Sequence, residues 1–441
     1  MTTDTTPTPA SVTTPPAIGA GRVRQGAIYR EGVLGRRPAV PVDAGLLEER
    51  ARRAMSREAW AYVAGGAGSG ATMRHNREAF DRWRVVPRML HGTASRDLST
   101  TVLGTELRAP LLLAPVGAGA MIAADSDLEI ARGAHAAGTP YVFSSQGCNP
   151  LEDTAEAMAG TPFWHQLYWS TDEPLVDSMI QRAERAGARA LVVTLDTTTL
   201  GWRPQDLDLG SLPFARGQGI AQYTSDPRFT EIVRQRIAAA GPAEKVEVTL
   251  EAIRSLVSIT RTYPGRFLDN LRSKEPRAAV ETFLDIYSNP GLSWDHLATL
   301  RGRTSLPIVL KGILHPDDAE RALEAGVDGL VVSNHGGRQV DHSIASLEAL
   351  VAVRERVGPD PAVLLDSGIR TGGDVFLALA LGADACLLGR PHLYGLALAG
   401  ARGVAEVIEN VVAELDLTMG LVGTASVADI TRDLLVEAPR R

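Results

Sequence analysis

Residues 329–342 read GLVVSNHGGRQVDH, an apolar run that gives way to Ser333, Asn334, His335, two glycines and Arg338. Titratable groups at the point where a chain leaves its hydrophobic layer stand where binding and catalysis usually occur. His335 is a candidate general base. Asp196, which ends the apolar run ALVVTLD (190–196), can orient its imidazole and stabilise the protonated ring. Lys311 ends VLKG among apolar neighbours that imply burial, and a buried ammonium needs a partner. It could form a Schiff base, pair with a carboxylate, or stabilise negative charge developing on a cofactor ring. Arg203 and Arg338 can clamp a carboxylate with forked donors. DSGIRTGGD (366–374) and LLGRP (387–391) set glycines beside an arginine, a pattern that offers backbone N–H groups and positive charge to a phosphate. No metal is expected: His335 and His342 are too far apart for a helical pair and lack a third ligand.

Groups so dispersed in the chain must be gathered by the elements that end on them. From residue 109 short apolar segments alternate with longer amphipathic ones, the pattern of a parallel sheet with crossover helices. Strands are predicted at 109–117, 139–146, 163–169, 190–196, 306–313, 329–337, 362–370 and 385–390. Helices are predicted at 127–138, 172–187, 317–326 and 373–382, each closing on a glycine. Eight such units predict an α/β fold of the (β/α)8 TIM barrel class. An open doubly wound sheet would need G-x-G-x-x-G after its first strand, and PVGAGAM (115–121) lacks the third glycine.

In a barrel, Gly117, Ser144, Gln166, Tyr168, Thr194, Asp196, Lys311, Ser333, His335, Asp366 and Arg390 all fall at or just past the C-terminal ends of strands, the face that carries active sites. Singly each has a plain structural role, such as capping a helix or filling a turn. Their convergence on one rim argues for a site. The glycine–arginine segments follow the seventh and eighth strands, where a barrel binds phosphate.

The remaining chain frames that face. Residues 43–64 read as a helix that ends at GGAGSG and caps the barrel, and residues 1–40 as a flexible tail, which leaves 41–441 as one domain. About 110 residues separate the fourth and fifth strands, far more than a crossover needs. Helical patterns at 226–240, 246–260 and 275–287 make this an insertion, at about 203–300, placed as a lid over the C-terminal face.

With 44% hydrophobic and 22% charged residues among 441, the composition is that of an ordinary globular protein. A net charge of −7 gives no basic footprint for nucleic acid or an anionic membrane. The apolar runs fall short of the roughly 20 residues that span a bilayer, and the first residues lack the pattern of a signal peptide. Two cysteines, Cys148 and Cys386, are too few for a disulfide framework and fit a reducing, cytoplasmic setting.

Taken together, SNHGGRQVD (333–341), VLKGI (309–313), QLY (166–168), TLDTTTLGWR (194–203) and DSGIRTGGDVFLALALGADACLLGRP (366–391) resemble the FMN-dependent 2-hydroxy acid oxidases and dehydrogenases, over nearly all of residues 43–420. The long insertion, GWRPQDLDL (201–209), QYTSDPRF (222–229) and Ser367 look most like the branch that converts lactate to acetate and CO2. The resemblance implies FMN as cofactor, a small L-2-hydroxy acid and O2 as partners, and a homotetramer or homo-octamer. It implies that His335 takes a proton from the substrate while two electrons pass to the flavin, with Asp196 supporting the imidazolium and Lys311 stabilising the reduced ring. It places the substrate carboxylate on Arg338 and Tyr62, with Arg203 assisting, and the hydroxyl on Tyr168. Pro115, Val116, Gly117, Ser144, Gln166, Thr194 and Ser333 would border the isoalloxazine, Asp366 the ribityl chain, and Gly368, Arg370, Gly389 and Arg390 the phosphate end. The glycines after His335 would let backbone approach the flat ring.

Gly117 would lie above the flavin, as in the monooxygenase branch, where slow release leaves the keto acid beside fresh peroxide. Its plain alternative is a tight turn with no room for a side chain. Two features depart from the family pattern. Gln146 stands where relatives often carry an apolar or aromatic pocket residue, and VDHS (340–343) replaces a small-residue continuation. Either bears on the substrate's side chain. A simple oxidase releasing keto acid and peroxide, a quinone-linked dehydrogenase, and a Lys311 Schiff-base lyase or isomerase are the competing readings.

Overall fold

A computed structural model describes residues 19–241 and 247–439. Its centre is a closed barrel of eight parallel strands: β1 (Leu111–Leu113), β2 (Tyr141–Ser144), β3 (Phe163–Leu167), β4 (Leu191–Thr194), β5 (Ile308–Ile313), β6 (Gly329–Val332), β7 (Ala362–Leu365) and β8 (Ala385–Leu388). Each neighbours the next in chain order, and β8 closes on β1. All eight lie inside the predicted segments, so the barrel expectation is borne out.

Strand alternation sorts side chains between two apolar layers. Leu112, Val142, Trp164, Val192, Val309, Val331, Leu364 and Leu387, one from every strand, fill the barrel interior. Their neighbours along each strand pack outward against the helices. A hairpin of Thr100–Val102 and Thr105–Leu107 plugs the N-terminal end, where the Trp164 indole donates to Thr105 Oγ1 at 3.0 Å. This packed floor leaves the opposite rim for chemistry.

Register then decides which polar residues meet there. Thr194 pairs across β4/β5 with Lys311, and Ser144 pairs across β2/β3 with Gln166. The helices after the strands start and stop as their sequences dictate. Asp172 caps Glu173–Ala186 by accepting from the Leu175 N–H, and Gly187 ends that helix in the left-handed conformation.

Two expectations outside the barrel need correction. The cap over 43–64 is two helices, Ala44–Ala54 and Arg57–Ala64, because Ser56 leaves helical geometry and its hydroxyl accepts from the Ala59 N–H. The reading of 1–40 as a flexible tail fails over the helix Ala20–Val33, which packs along the final helix Arg390–Val422. There buried Asp416 accepts from the Gly21 N–H at 2.8 Å, and Arg24 pairs with Glu406 and Glu409.

The segment between β4 and β5 carries the helices Pro227–Ala239, Leu250–Thr262 and Glu275–Ile286. The start of the expected 246–260 helix lies outside the described residues. Aromatic contacts hold the segment together: Phe283 lies 5.3 Å from Phe214, 4.9 Å from Tyr287 and 4.8 Å from Tyr223 between ring centres. Among the described residues, no helix is long and apolar enough to cross a membrane.

Candidate active site

The loop after β6 runs through three successive left-handed residues: His335 at φ 57°, Gly336 at 66° and Gly337 at 74°. Glycine adopts this freely, whereas for histidine it costs about 1–2 kcal/mol. Hydrogen bonds hold the loop in place. The His335 N–H donates to Ser333 Oγ at 3.0 Å, Gly336 to Ser367 Oγ at 2.9 Å and Gly337 to Asn334 Oδ1 at 3.1 Å. The glycines serve this turn and its packing: a Cβ on Gly336 would lie 2.8 Å from the Arg390 guanidinium, and one on Gly337 2.7 Å from Met73. The close approaches among the described residues are to the chain's own side chains, and Gly336 also lines the cavity that the rim groups face.

The turn aims the His335 imidazole at Asp196, with Nδ1 2.8 Å from Oδ1. Thr197 donates to the same carboxylate oxygen at 3.0 Å. Burial alone would raise the Asp196 pKa, but the neighbouring His335 and Lys311 charges hold it down at about 2. Burial dominates at His335 and keeps its pKa below the ordinary value, against the pull of Asp196. The result at neutral pH is a neutral imidazole backed by a carboxylate, a base ready to accept a proton.

Lys311 Nζ lies 3.0 Å from Asp366 Oδ2 and donates to Ser333 Oγ at 2.9 Å. Burial would neutralise it, but Asp366 and Asp196 overcome this and raise its pKa. Of the three readings for this lysine, pairing with a carboxylate is in place, and the charge that pairing preserves disfavours a Schiff base, which requires the neutral amine, while leaving an ammonium that could stabilise negative charge on a ring. Ser367 ties the two halves of the site together. Its hydroxyl donates to Asp366 Oδ1 at 2.7 Å and accepts from Gly336, although the residue sits at φ 75°.

Three buried or half-buried arginines, Arg203, Arg338 and Arg390, converge nearby and donate mainly to carbonyls, with the Asp206 carboxylate acting on Arg203 and Arg338 from a distance. Arg338 donates to the carbonyls of Tyr62 and Gly65 and lies 4.9 Å over the Tyr62 ring. Arg203 donates to the Arg338 carbonyl at 3.2 Å and to Gln339 Oε1 at 2.7 Å. Burial and the Arg203 charge push the Arg338 pKa down to about 9. A guanidinium destabilised in this way is poised for an anion. Arg390 lines the same cavity, and its guanidinium donates to the carbonyls of Val63, Gly336 and Gly65.

These groups face one cavity of about 960 Å3, counting the part open to solvent. Tyr62, Pro115, Val116, Gly117, Tyr168, Arg203, Lys311, His335, Arg338, Asp366, Gly368, Arg370, Gly389 and Arg390, all expected at the site, line it. Asp196 stands behind His335. Ser144, Gln166, Thr194 and Ser333 are buried beneath the lining instead of forming it. Gln166 Nε2 and Thr194 Oγ1 have no hydrogen-bond partner there. Buried donors left unpaired are costly, and a bound molecule with acceptor atoms would satisfy them. The heteroatom edge of a flavin fits that requirement.

Several lining or supporting residues escaped the sequence reading. Leu200, Phe214 and Tyr287 close the cavity from the insertion side, Thr197 backs Asp196, and Gln339 bonds the carbonyls of Asp196 and Thr199. The adjacency of Thr197 to Asp196 and of Gln339 to Arg338 was a usable signal. The insertion aromatics offered none beyond their presence.

A barrel whose rim joins a His–Asp base, a paired lysine and anion-seeking arginines suits an enzyme that takes a proton from an anionic substrate. Comparison with known proteins narrows this class. The sequence pattern of the FMN-dependent dehydrogenases matches residues 51–437. An FMN-dependent alpha-hydroxy acid dehydrogenase of Penicillium citrinum is 40% identical over 412 residues, which span 93% of this chain and 94% of that protein. An L-lactate oxidase of Lysinibacillus sphaericus is 39% identical over 376 residues, 85% of this chain and 88% of the oxidase. A mandelate oxidase structure determined with (S)-4-hydroxymandelic acid aligns with a TM-score of 0.73 at 33% identity, covering 90% of this chain and 99% of that one. The chain belongs to the FMN-dependent 2-hydroxy acid dehydrogenase and oxidase family, and its cofactor is FMN.

Proposed function

We propose that this enzyme oxidises a small L-2-hydroxy acid with O2 as electron acceptor, and that it converts L-lactate to acetate, CO2 and water. The observation that carries the reading is the His335–Asp196 pair opening on the same cavity as Arg203 and Arg338. Arg338, with Arg203 and Tyr62, binds the substrate carboxylate and fixes the C2 carbon before His335. Tyr168, whose phenol is kept protonated by burial, donates to the substrate oxygen. Neutral His335 accepts the proton, and Asp196 stabilises the imidazolium that forms. FMN would supply the two-electron acceptor, with Gln166, Thr194, Ser144 and Ser333 beneath the cavity wall on the ring side and Asp366, Gly368, Arg370, Gly389 and Arg390 on the wall towards the phosphate. Lys311 places a fixed positive charge at that rim.

The decarboxylating outcome is supported by the cover that Leu200, Phe214 and Tyr287 form over the cavity. Oxidation removes two hydrogens from lactate, and O2 takes them up as hydrogen peroxide. A keto acid retained beside that peroxide is attacked at C2, the C1–C2 bond breaks, and acetate, CO2 and water leave. A specific contact favours the simple oxidase as second reading. A Cβ on Gly117 would lie 2.7 Å from Gln146 Cβ, which explains this glycine by packing alone. Product analysis decides: acetate equal to the O2 consumed supports the first reading, and stoichiometric peroxide with pyruvate supports the second. Slow reoxidation in air would favour a quinone-linked dehydrogenase. The same reading, supported by the family resemblance and the cysteine usage, extends to a cytoplasmic homotetramer or homo-octamer, tested by light scattering and cell fractionation.

A further inference from the structure

We infer that Gln222, on the insertion between β4 and β5, is a positioning residue that holds the Gln166 amide in the orientation that serves the flavin ring. The inference rests on the reading that the ring lies against Gln166, and extends it to a residue that does not line the cavity. Gln166 is 1% exposed, and its side-chain oxygen accepts from the Ser145 N–H at 3.2 Å and from Ser144 Oγ at 3.3 Å. A backbone N–H can only donate, so this contact fixes which end of the amide is which. The Nε2 end is left without a partner, which makes it the end available to an acceptor on the ring.

Ser144 and Ser145 are themselves held by Gln222. Its Nε2 donates to the Ser144 carbonyl at 2.8 Å, across 78 positions of chain, and the residue is 2% exposed. The Gly147 N–H shares that carbonyl at 3.0 Å. A Cβ on Gly147 would lie 3.0 Å from Gln222 Nε2, so this glycine makes room for the approach. The Ala221 N–H adds a donation to the Gly147 carbonyl at 3.1 Å. Neighbouring residues of the insertion thus grip the turn that follows β2.

A buried ion-pair cluster holds Gln222 from the other side. The Arg182 guanidinium, on the helix Glu173–Ala186, donates to the Gln222 carbonyl at 2.7 Å and lies 3.2 Å from Asp226 Oδ2. Its other donors make a forked pair with Glu152, both bonds at 2.8 Å. Asp226, fully buried, accepts from Ser178 Oγ at 2.8 Å and caps the helix Pro227–Ala239 through the Arg228 and Phe229 N–H groups. Buried charges matched in this way keep one arrangement, since leaving any of them unpaired is costly. Gln222 is therefore a fixed donor, and the contacts run from Arg182 through Gln222 and Ser144 to Gln166. A fixed donor at the ring favours the reduced, negatively charged flavin, so the retention of FMN and its potential both depend on this chain of contacts.

The test measures FMN release on dilution of the holoenzyme, and the midpoint potential of the bound flavin, in wild type, Gln222→Met, Gln222→Leu, Gln166→Leu and the double variant Gln222→Met/Gln166→Leu. Both Gln222 variants remove the donation to Ser144 at similar side-chain size, and either one that folds carries the test. Release about tenfold faster and a more negative potential are expected in them, with Gln166→Leu changing both quantities at least as much. The double variant should match Gln166→Leu alone, because residues that act through one another do not contribute additively. Ser178→Ala, which loosens the same cluster away from Ser144, should lower the melting temperature and leave the potential unchanged. Additive effects in the double variant, or wild-type release and potential in the Gln222 variants, overturn the assignment of Gln222 and leave the ring against Gln166. Wild-type release and potential in Gln166→Leu overturn that placement of the ring, and the inference with it.

Discussion

His335 Nδ1 and Asp196 Oδ1 lie 2.8 Å apart across 139 positions of chain, at the ends of β6 and β4. In the proposed mechanism this contact sets the pH behaviour of the enzyme. His335→Gln is expected to retain FMN and lose substrate oxidation by about 10^2–10^4-fold. In wild type, turnover is expected to fall as pH drops through the His335 pKa, which lies below its ordinary value. Asp196→Asn removes the charge that supports the imidazolium, so the acid limb should move to still lower pH while the maximal rate falls. An acid limb that moves upward in Asp196→Asn would contradict the pairing.

The same carboxylate affects stability with a definite sign. Its pKa is about 2 when folded and near 3.9 in an unfolded chain. The contribution, on the order of 2 kcal/mol, is present above about pH 4 and lost as pH falls towards 2. The gap in unfolding free energy between pH 6 and pH 3 should therefore narrow in Asp196→Asn, as measured by urea titration at the two pH values.

Lys311 and Asp366 separate charge from scaffold. Lys311→Met leaves Asp366 buried without its cation, which should cost about 3–5 kcal/mol of stability and lower turnover by about 10^2–10^3-fold. In the double variant Lys311→Met/Asp366→Asn stability should largely return, since no unpaired charge remains, while turnover stays low. Recovery of both would make the lysine a structural group only. Thermal melts beside steady-state rates on the FMN-loaded proteins distinguish the outcomes.

Ser367 offers a cleaner separation still. It holds φ 75°, a conformation glycine adopts freely, and uses its hydroxyl to bridge Asp366 and Gly336. Ser367→Gly removes the bridge and the backbone strain together, so the melting temperature should stay within about 2 °C while kcat falls by about tenfold. Ser367→Ala removes the bridge but keeps the strain, and should melt lower than Ser367→Gly. Equal kcat in wild type and Ser367→Gly would show that the bridge does not position the His335 loop.

These bridges mark the boundary of what the amino-acid order reveals. The barrel was legible because eight apolar runs each contribute an inward residue from Leu112 to Leu387, and period-two burial depends only on near neighbours. The rim was legible because strand ends are. The contacts that tune the rim join residues far apart in the chain, as when Gln339 holds the Asp196 carbonyl or Asn76 pairs with Asn334. No local pattern announces them. Ser144, Gln166 and Thr194 were placed correctly along their strands, but their burial below the cavity depends on depth in the barrel, which periodicity does not specify.

The N-terminal helix provides a test outside the site. A flexible tail was expected over residues 1–40, yet Ala20–Val33 is tied to the final helix through Gly21 and Arg24. Asp416 is fully buried and accepts from Gly21 as well as from Arg96, and Glu406 accepts from the Ala39 N–H at 2.8 Å. Deletion of residues 1–40 removes the Gly21, Arg24 and Ala39 donors, leaving Asp416 with Arg96 alone and Glu406 with Arg402, and exposes the flank of the helix that begins at Arg390. No residue of 19–40 lines the cavity, so FMN affinity should persist while the melting temperature falls by at least about 4 °C. Deletion of 1–18 alone leaves every one of those ties in place and should lower it less. Identical melting of the two truncations would show that the Asp416 and Glu406 contacts add nothing to the fold.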